Sequence, residues 1–176
     1  MIVLQRVAFA ASFATAISAC ADVRETPPNL VAISERLTTA GQPSAEWLRT
    51  LKAQGYEAVI YLAPPTVEDA VRDEQRIVGS QGLAFVNLPV DFERPTGRDL
   101  DLFRALLRGF GPRKVLVHCQ INLRASSFVF LYRAIDLRED PERAYDAVSR
   151  VWKPDATWHA FIGTQLERNG IAFKPY

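Results

Sequence analysis

Cysteine is scarce in this chain, with two among 176 residues, Cys20 and Cys119. That count excludes a disulfide framework, and no Cys/His spacing in the sequence suits a structural zinc ion. An excess of charge is missing too. Twenty-one basic side chains stand against twenty acidic ones, with no run of Lys or Arg. The chain therefore lacks the cationic footprint of a nucleic-acid binder or of a protein held to an anionic membrane by its own basic residues, and any anionic ligand has to be captured at one local site. Internal repeats, low-complexity stretches and long linkers do not occur. The length and an apolar share of 48% fit one globular domain.

Long apolar runs are also absent. Val7–Ala19, thirteen residues rich in Ala, is too short to span a bilayer comfortably. It follows a segment with one positive charge, Arg6, and precedes Ala19-Cys20-Ala21, which matches the A-x-A cleavage pattern of a secretory signal peptide. The junction Ile17-Ser18-Ala19-Cys20 equally resembles a bacterial lipobox, in which Cys20 would be acylated and would supply the chain's membrane attachment. Residues 1–21 are thus expected to be a signal peptide or a lipoprotein signal, and the domain to be periplasmic or lipid-anchored. A frayed apolar helix of a cytosolic protein is the remaining reading. Residues 22–28, polar and proline-containing, read as a tether, and residues 29–176 as the domain.

Helical and strand patterns alternate through that domain. Leu37–Ala40 reads as a short strand, and Ser44 caps a helix through about Gln54, stopped by Gly55. Glu57–Ala63 (EAVIYLA) and Leu83–Val90 (LAFVNLPV) are apolar strands separated by a charged helix predicted over Val67–Gln81. Arg98–Phe110 is an amphipathic helix with Leu100, Phe103, Leu107 and Phe110 inward and Asp101, Arg104 and Arg108 outward, followed by the strand Lys114–His118. Helices are predicted again after Cys119, over Pro141–Trp152 and from about Thr157 to Arg168. Such alternation implies an α/β fold with a mostly parallel sheet flanked by helices. In that arrangement ligands bind beyond the carboxyl ends of the strands.

The last strand runs into His118-Cys119-Gln120-Ile121-Asn122-Leu123-Arg124-Ala125-Ser126-Ser127. A strand-to-helix turn points its amide N–H groups at the anion-binding end of a helix. A thiol placed there is expected to lose its proton to the combined pull of turn amides, helix dipole and a guanidinium, and the thiolate is the nucleophile. Arg124 offers a planar bidentate donor to a tetrahedral oxyanion. Ser126 or Ser127 could donate to the sulfur. The bland alternatives are an inert buried cysteine and a solvent-facing arginine.

This segment resembles the signature loop of cysteine-dependent protein tyrosine and dual-specificity phosphatases, and most closely the bacterial phosphatase-like domain of beta-lactamase-hydrolase-like proteins. Leu37-Thr38-Thr39-Ala40-Gly41-Gln42-Pro43, a helix and then Val59-Ile60-Tyr61-Leu62 resemble that domain's opening, so the likeness covers about residues 30–150. It implies a dual-specificity-phosphatase-like fold, no metal or other cofactor, and hydrolysis of a phosphomonoester, on a protein or a small molecule, through a phosphocysteine. Carried over, Cys119 is the nucleophile and Arg124 the phosphate clamp, with Gln120, Ile121, Asn122, Leu123 and Ser126 around the phosphate. His118 would order the loop.

Two departures leave other activities open. Only four residues separate Cys119 from Arg124 where the phosphatase pattern has five, so Arg124 reaches the anion only if the loop is tighter. Asn122 stands where Gly is expected, and Asn is the next best residue for a left-handed turn. Rhodanese-like sulfurtransferases resemble this loop in length and carry a persulfide on the cysteine. A non-catalytic anion-binding module is the third alternative. A phosphatase also needs an acid for the leaving group. Asp91, at the carboxyl end of LAFVNLPV and 28 residues before Cys119, occupies the family's position, with Glu93 as its substitute. Arg94 and Arg98 are candidates for the mouth of the site. Trp158 and His159 have no partner in the sequence that suggests a ligand.

Overall fold

The chain alternates short apolar strands with helices, and intervening helices force the strands they connect to run parallel. The computed structural model describes residues 25–176; the expected signal segment with Cys20, and the start of the tether, lie outside the described residues. In chain order the elements are β1 (Val31–Ser34), β2 (Leu37–Ala40), α1 (Ala45–Leu48), β3 (Ala58–Tyr61), α2 (Glu74–Gly79), β4 (Ala84–Asn87), α3 (Gly97–Phe110), β5 (Val115–His118), α4 (Leu123–Ile135), α5 (Pro141–Ser149) and α6 (Ala156–Arg168). They form one five-stranded sheet in the order β1-β2-β5-β3-β4, in which only the β1/β2 pair is antiparallel. β5 therefore sits at the centre, with β2 and β3 bonded to its two edges.

Alternation along the strands divides the core into two layers. Ala58, Ile60, Val115 and Val117 face the larger layer, which includes α3, α4, α5 and α6. Val59 and Leu116 face the smaller one, with Trp47 and Leu48 of α1 and Ile77 and Val78 of α2. Within the larger layer Phe128 of α4 packs edge-on to Phe103 and near-parallel to Phe161, and Trp158 closes the group. Such pairs contribute about 0.5–1.5 kcal/mol each beyond the area they bury. Every residue from Arg124 to Leu131 is buried, which makes α4 the central helix of that layer. Its far end is pinned by Asp136, which pairs with Arg104 and Arg108 of α3. Arg104, expected to point outward, is therefore drawn largely out of solvent.

Two expectations need correction, and one strand was not foreseen. The helix predicted over Val67–Gln81 exists only as Glu74–Gly79; after Pro64-Pro65 the chain makes a series of turns, because Val67, Ala70 and Val71 find only partial burial. The helix predicted through Gln54 stops at Leu48, although Ser44 caps it as expected by accepting from Trp47 N–H, and turns continue to Gly55. β1 was not legible in its sequence, VAIS, which is too short and too exposed to show a period. The other strands, and α3, α4, α5 and α6, lie within a few residues of their predicted places. Among the described residues no helix is long and apolar enough to cross a membrane.

The end of β2 meets the turn that follows β5. Gln42 N–H donates to Gln120 O at 2.8 Å, and a Cβ on Gly41 would stand 2.8 Å from that same carbonyl and 2.9 Å from Pro28 Cβ. Both neighbours are held by the chain, so Gly41→Ala is expected to lower stability by about 1–3 kcal/mol through overpacking. Gly79, whose added Cβ would meet nothing within 4 Å, is the control. There an alanine should stabilise by about 0.5–1 kcal/mol. Urea denaturation of the two variants checks both signs.

Candidate active site

The geometry follows from how the turn after β5 is held. Cys119 N–H donates to Ala40 O, while the carbonyls of the next two residues point back into the protein: Gln120 O accepts from Gln42 N–H and Ile121 O from Asn29 Nδ2. Asn122 then takes a left-handed backbone, φ 73° and ψ 3°, the conformation read from its place in the sequence. Its side chain is fully buried, and Nδ2 donates to Asn29 O at 2.6 Å and to Thr39 Oγ1 at 3.1 Å. With the carbonyls turned inward, the amide N–H groups of Gln120, Ile121, Leu123 and Arg124 have no acceptor among the described residues, and they lie at the start of α4. A concave row of free amides at a helix N-terminus attracts an anion.

Cys119, Gln120, Ile121, Leu123 and Arg124 line one pocket of about 250 Å3, together with Phe92 and Asp69. The one-residue-shorter interval thus still brings Arg124 to the cysteine. Arg124 is held firmly: Nε donates to Val90 O at 2.9 Å, Nη1 lies 3.5 Å from Gln120 Oε1, and Cζ sits 5.1 Å above the Phe92 ring. Fastened through Nε and the ring face, with Nη1 at the limit of hydrogen-bond distance from Gln120, it keeps Nη2 for a ligand. Cys119 is a free thiol, almost wholly buried at the floor.

The expected acid loop is gripped on both sides of Asp91. Arg124 holds the carbonyl of Val90, and Trp158 Nε1 donates to the carbonyl of Phe92 at 2.9 Å. Trp158, for which the sequence suggested no ligand, is instead tied to this loop, a contact that no spacing in the sequence could show. Asp91 itself points outward. Its Oδ1 accepts from Glu93 N–H and its Oδ2 from Arg94 Nε, and the first of these, then the second, hold the carboxyl below the usual carboxylate range. Arg94 is accordingly spent on Asp91. Glu93 and Arg98 are exposed and away from the pocket lining.

Of the other loop residues, Asn122 is occupied as described, and Ser126 is buried with its hydroxyl donating to Leu123 O at 3.2 Å, so neither lines the pocket. Ser127 is also buried. Phe92 and Asp69 were missed. Asp69 lies in the turns that replace the predicted helix, and its Oδ1 accepts from Gln120 Nε2 at 3.1 Å. Nothing in the sequence of those turns marks it, whereas Phe92, adjacent to Asp91, could have been read from position. Among the described residues no group of three His, Cys, Asp or Glu side chains gathers to hold a metal ion.

Comparison with known proteins agrees with this geometry. The family model described as the DSP-PTPase phosphatase fused to NAD+ kinase matches residues 15–159. A beta-lactamase hydrolase-like protein of Agrobacterium fabrum is 32% identical over 112 residues, which is 61% of this chain and 26% of that protein. The chain thus spans about a quarter of the length of that relative. Among solved structures, a DUF442 chain from Shewanella putrefaciens CN-32 assigned as a phosphatase superposes with a TM-score of 0.75 at 28% identity, covering 82% of this chain and 92% of its own. Tk-PTP in its active form shares the fold at a TM-score of 0.63 and 21% identity, over 80% of this chain and 95% of its own. With its helix-flanked, mostly parallel sheet and its pocket at the carboxyl end of the central strand, the chain belongs to the DSP-PTPase family of phosphatases.

Proposed function

We propose that this domain hydrolyses a phosphomonoester, carried by a protein or a small molecule, in two covalent steps on Cys119. The observation that carries the reading is the meeting of the Cys119 thiol, the Arg124 guanidinium and a row of free amides in one pocket. Cys119 Sγ attacks phosphorus as the bond to the leaving oxygen breaks, while Arg124 and the amides hold the equatorial oxygens, on which charge spreads. The leaving oxygen takes a proton from Asp91. Water then attacks the phosphocysteine, Asp91 accepts its proton, the S–P bond breaks, and phosphate and thiolate are released. Asp91 does not line the pocket, but Phe92 beside it does; the reading requires the Asp91 side chain to leave Arg94 and turn toward the leaving group. None of these steps calls for a metal.

An aryl phosphate assay of the folded protein, without added metal, tests this reading. Cys119→Ser should abolish turnover, and Arg124→Ala should lower kcat by about 10²–10³. A folded wild-type domain that hydrolyses no phosphomonoester, yet gains a sulfur atom on Cys119 from thiosulfate, would replace the reading with sulfur transfer. Binding of phosphate without either reaction would leave an anion-binding module.

The acid assignment has its own check. Asp91→Asn should slow alkyl phosphates more than aryl ones, because an alkoxide leaves poorly without a proton. Arg94→Ala should move the basic limb of kcat/KM to higher pH. The sign follows from the contacts: Arg94 helps keep the carboxyl ionised, so removing it lets Asp91 retain its proton to higher pH. An unmoved limb in Arg94→Ala, with Asp91→Asn at wild-type rates on alkyl phosphates, would shift the assignment to another carboxyl, of which Asp69 lines the pocket.

A further inference from the structure

Behind the cradle, on the opposite face of the sheet from the larger core layer, lies a group of buried polar side chains that the two-step chemistry does not use. Alternation along β5 sends Leu116 toward α1 and α2, and His118 to that same side, whereas Cys119 joins the larger layer. His118 is fully buried and stacks on Tyr61, with ring centroids 4.6 Å apart and planes 14° from parallel. Its Nε2 stands 2.7 Å from Oε1 of Glu74, the first residue of α2. Glu74 is only 3% exposed, and its other oxygen, Oε2, accepts from Gln42 Nε2 at 3.0 Å. His118 Nδ1 has no partner among the described residues, and the Nε2–Oε1 approach, though close, lacks hydrogen-bond alignment, so Glu74 meets the ring's polar edge as an electrostatic contact. Burial first, and then the Glu74 carboxylate, push the Tyr61 hydroxyl well above the ordinary phenol range, so the ring stacked on His118 is neutral.

A carboxylate this deep is costly, and well-packed apolar side chains of similar volume would serve stability as well or better. Its two partners suggest what it does instead. Gln42 is the residue whose N–H holds Gln120 O, and Gly41 before it lies against the same carbonyl. His118 immediately precedes Cys119, and its own carbonyl accepts from Leu62 N–H. Glu74 therefore joins, from behind the sheet, the two chain segments that meet around the anion cradle.

We propose that Glu74 is a positioning residue for the phosphate-binding loop: by holding His118 and Gln42 together it fixes Cys119 relative to the amide row of Gln120, Ile121, Leu123 and Arg124. The claim rests on the phosphatase reading for one of its readouts only. A misplaced cradle loses grip on the transition state more than on the substrate, since only the former has the in-line, trigonal arrangement that the amides must meet.

The test is Glu74→Gln, which keeps side-chain shape and removes the charge. A folded Glu74→Gln protein should show kcat on an aryl phosphate lowered about tenfold with KM changed less than about twofold, and orthovanadate binding weakened about tenfold. Gln42→Ala, which leaves the Glu74–His118 contact in place, should show the same split at smaller amplitude, and its effect should not add fully to that of Glu74→Gln. If Glu74→Gln fails to fold, Gln42→Ala decides. Wild-type kcat and wild-type orthovanadate binding in a folded variant would overturn the proposal, as would equal losses explained wholly by a raised KM. Should the wild-type protein show no turnover, the phosphatase reading falls by itself, and orthovanadate binding alone decides the role of Glu74: weakened in the variant it stands, unchanged or undetectable in both proteins it falls.

Discussion

The site depends on one arrangement of backbone: the carbonyls of Gln120 and Ile121 are turned inward and bonded, by Gln42 N–H and Asn29 Nδ2, so that the N–H groups of the same turn face outward. A buried polar backbone group must find a partner somewhere, and here the partners all come from the segment 29–42, which lies beside β5 through β2. Asn122 makes the reversal sterically affordable by adopting the left-handed region and anchoring its amide to Asn29 and Thr39. Remove these constraints and the turn has no reason to present the amides of Gln120, Ile121, Leu123 and Arg124 to an anion. The first β-strands and the Gly-Gln-Pro sequence after them are in this sense part of the site, although none of their side chains enters the pocket lining.

From that turn the remaining parts are placed by their own contacts. Arg124 lies in the first turn of the buried central helix, which fixes its stem, and Val90 O and the Phe92 ring fix its head. The same two residues flank Asp91, so the guanidinium that would clamp the anion also sets the height of the acid loop. Trp158, deep in the aromatic core, holds that loop from the other side. Core packing and site geometry are thus continuous: the helix that carries the tryptophan is far from Cys119 in sequence but one hydrogen bond from the loop that carries Asp91.

Much of this was legible in the sequence because the relevant signals are local. The alternation of apolar strands and amphipathic helices places the central strand, and the abrupt change from KVLVH to a polar turn and then a helix places Cys119 at its end. Asn122 could be read as left-handed because few other residues tolerate that backbone. The four-residue interval to Arg124 was the doubtful point; α4 begins at Leu123 and sets the guanidinium over Phe92, in the pocket that Cys119 also lines. What could not be read was set by contacts between distant segments. Glu74 looks like one charge among several on a surface helix until His118 and Gln42 are seen to meet it. Trp158 looks like ordinary core until its Nε1 is found at Phe92 O. Asp69 sits in a stretch whose weak apolar pattern suggested a helix, and it reaches Gln120 only because that helix does not form.

The central claim is that phosphorus becomes bonded to Cys119 during turnover. Acid quenching of the protein during steady-state turnover of an aryl phosphate, followed by proteolysis at acid pH and mass analysis, measures this directly. The account predicts a phosphoryl group on the peptide that contains Cys119, and on no other peptide, present at higher occupancy in Asp91→Asn, where the water-activating group is missing. Product formation with that peptide unmodified throughout would contradict it.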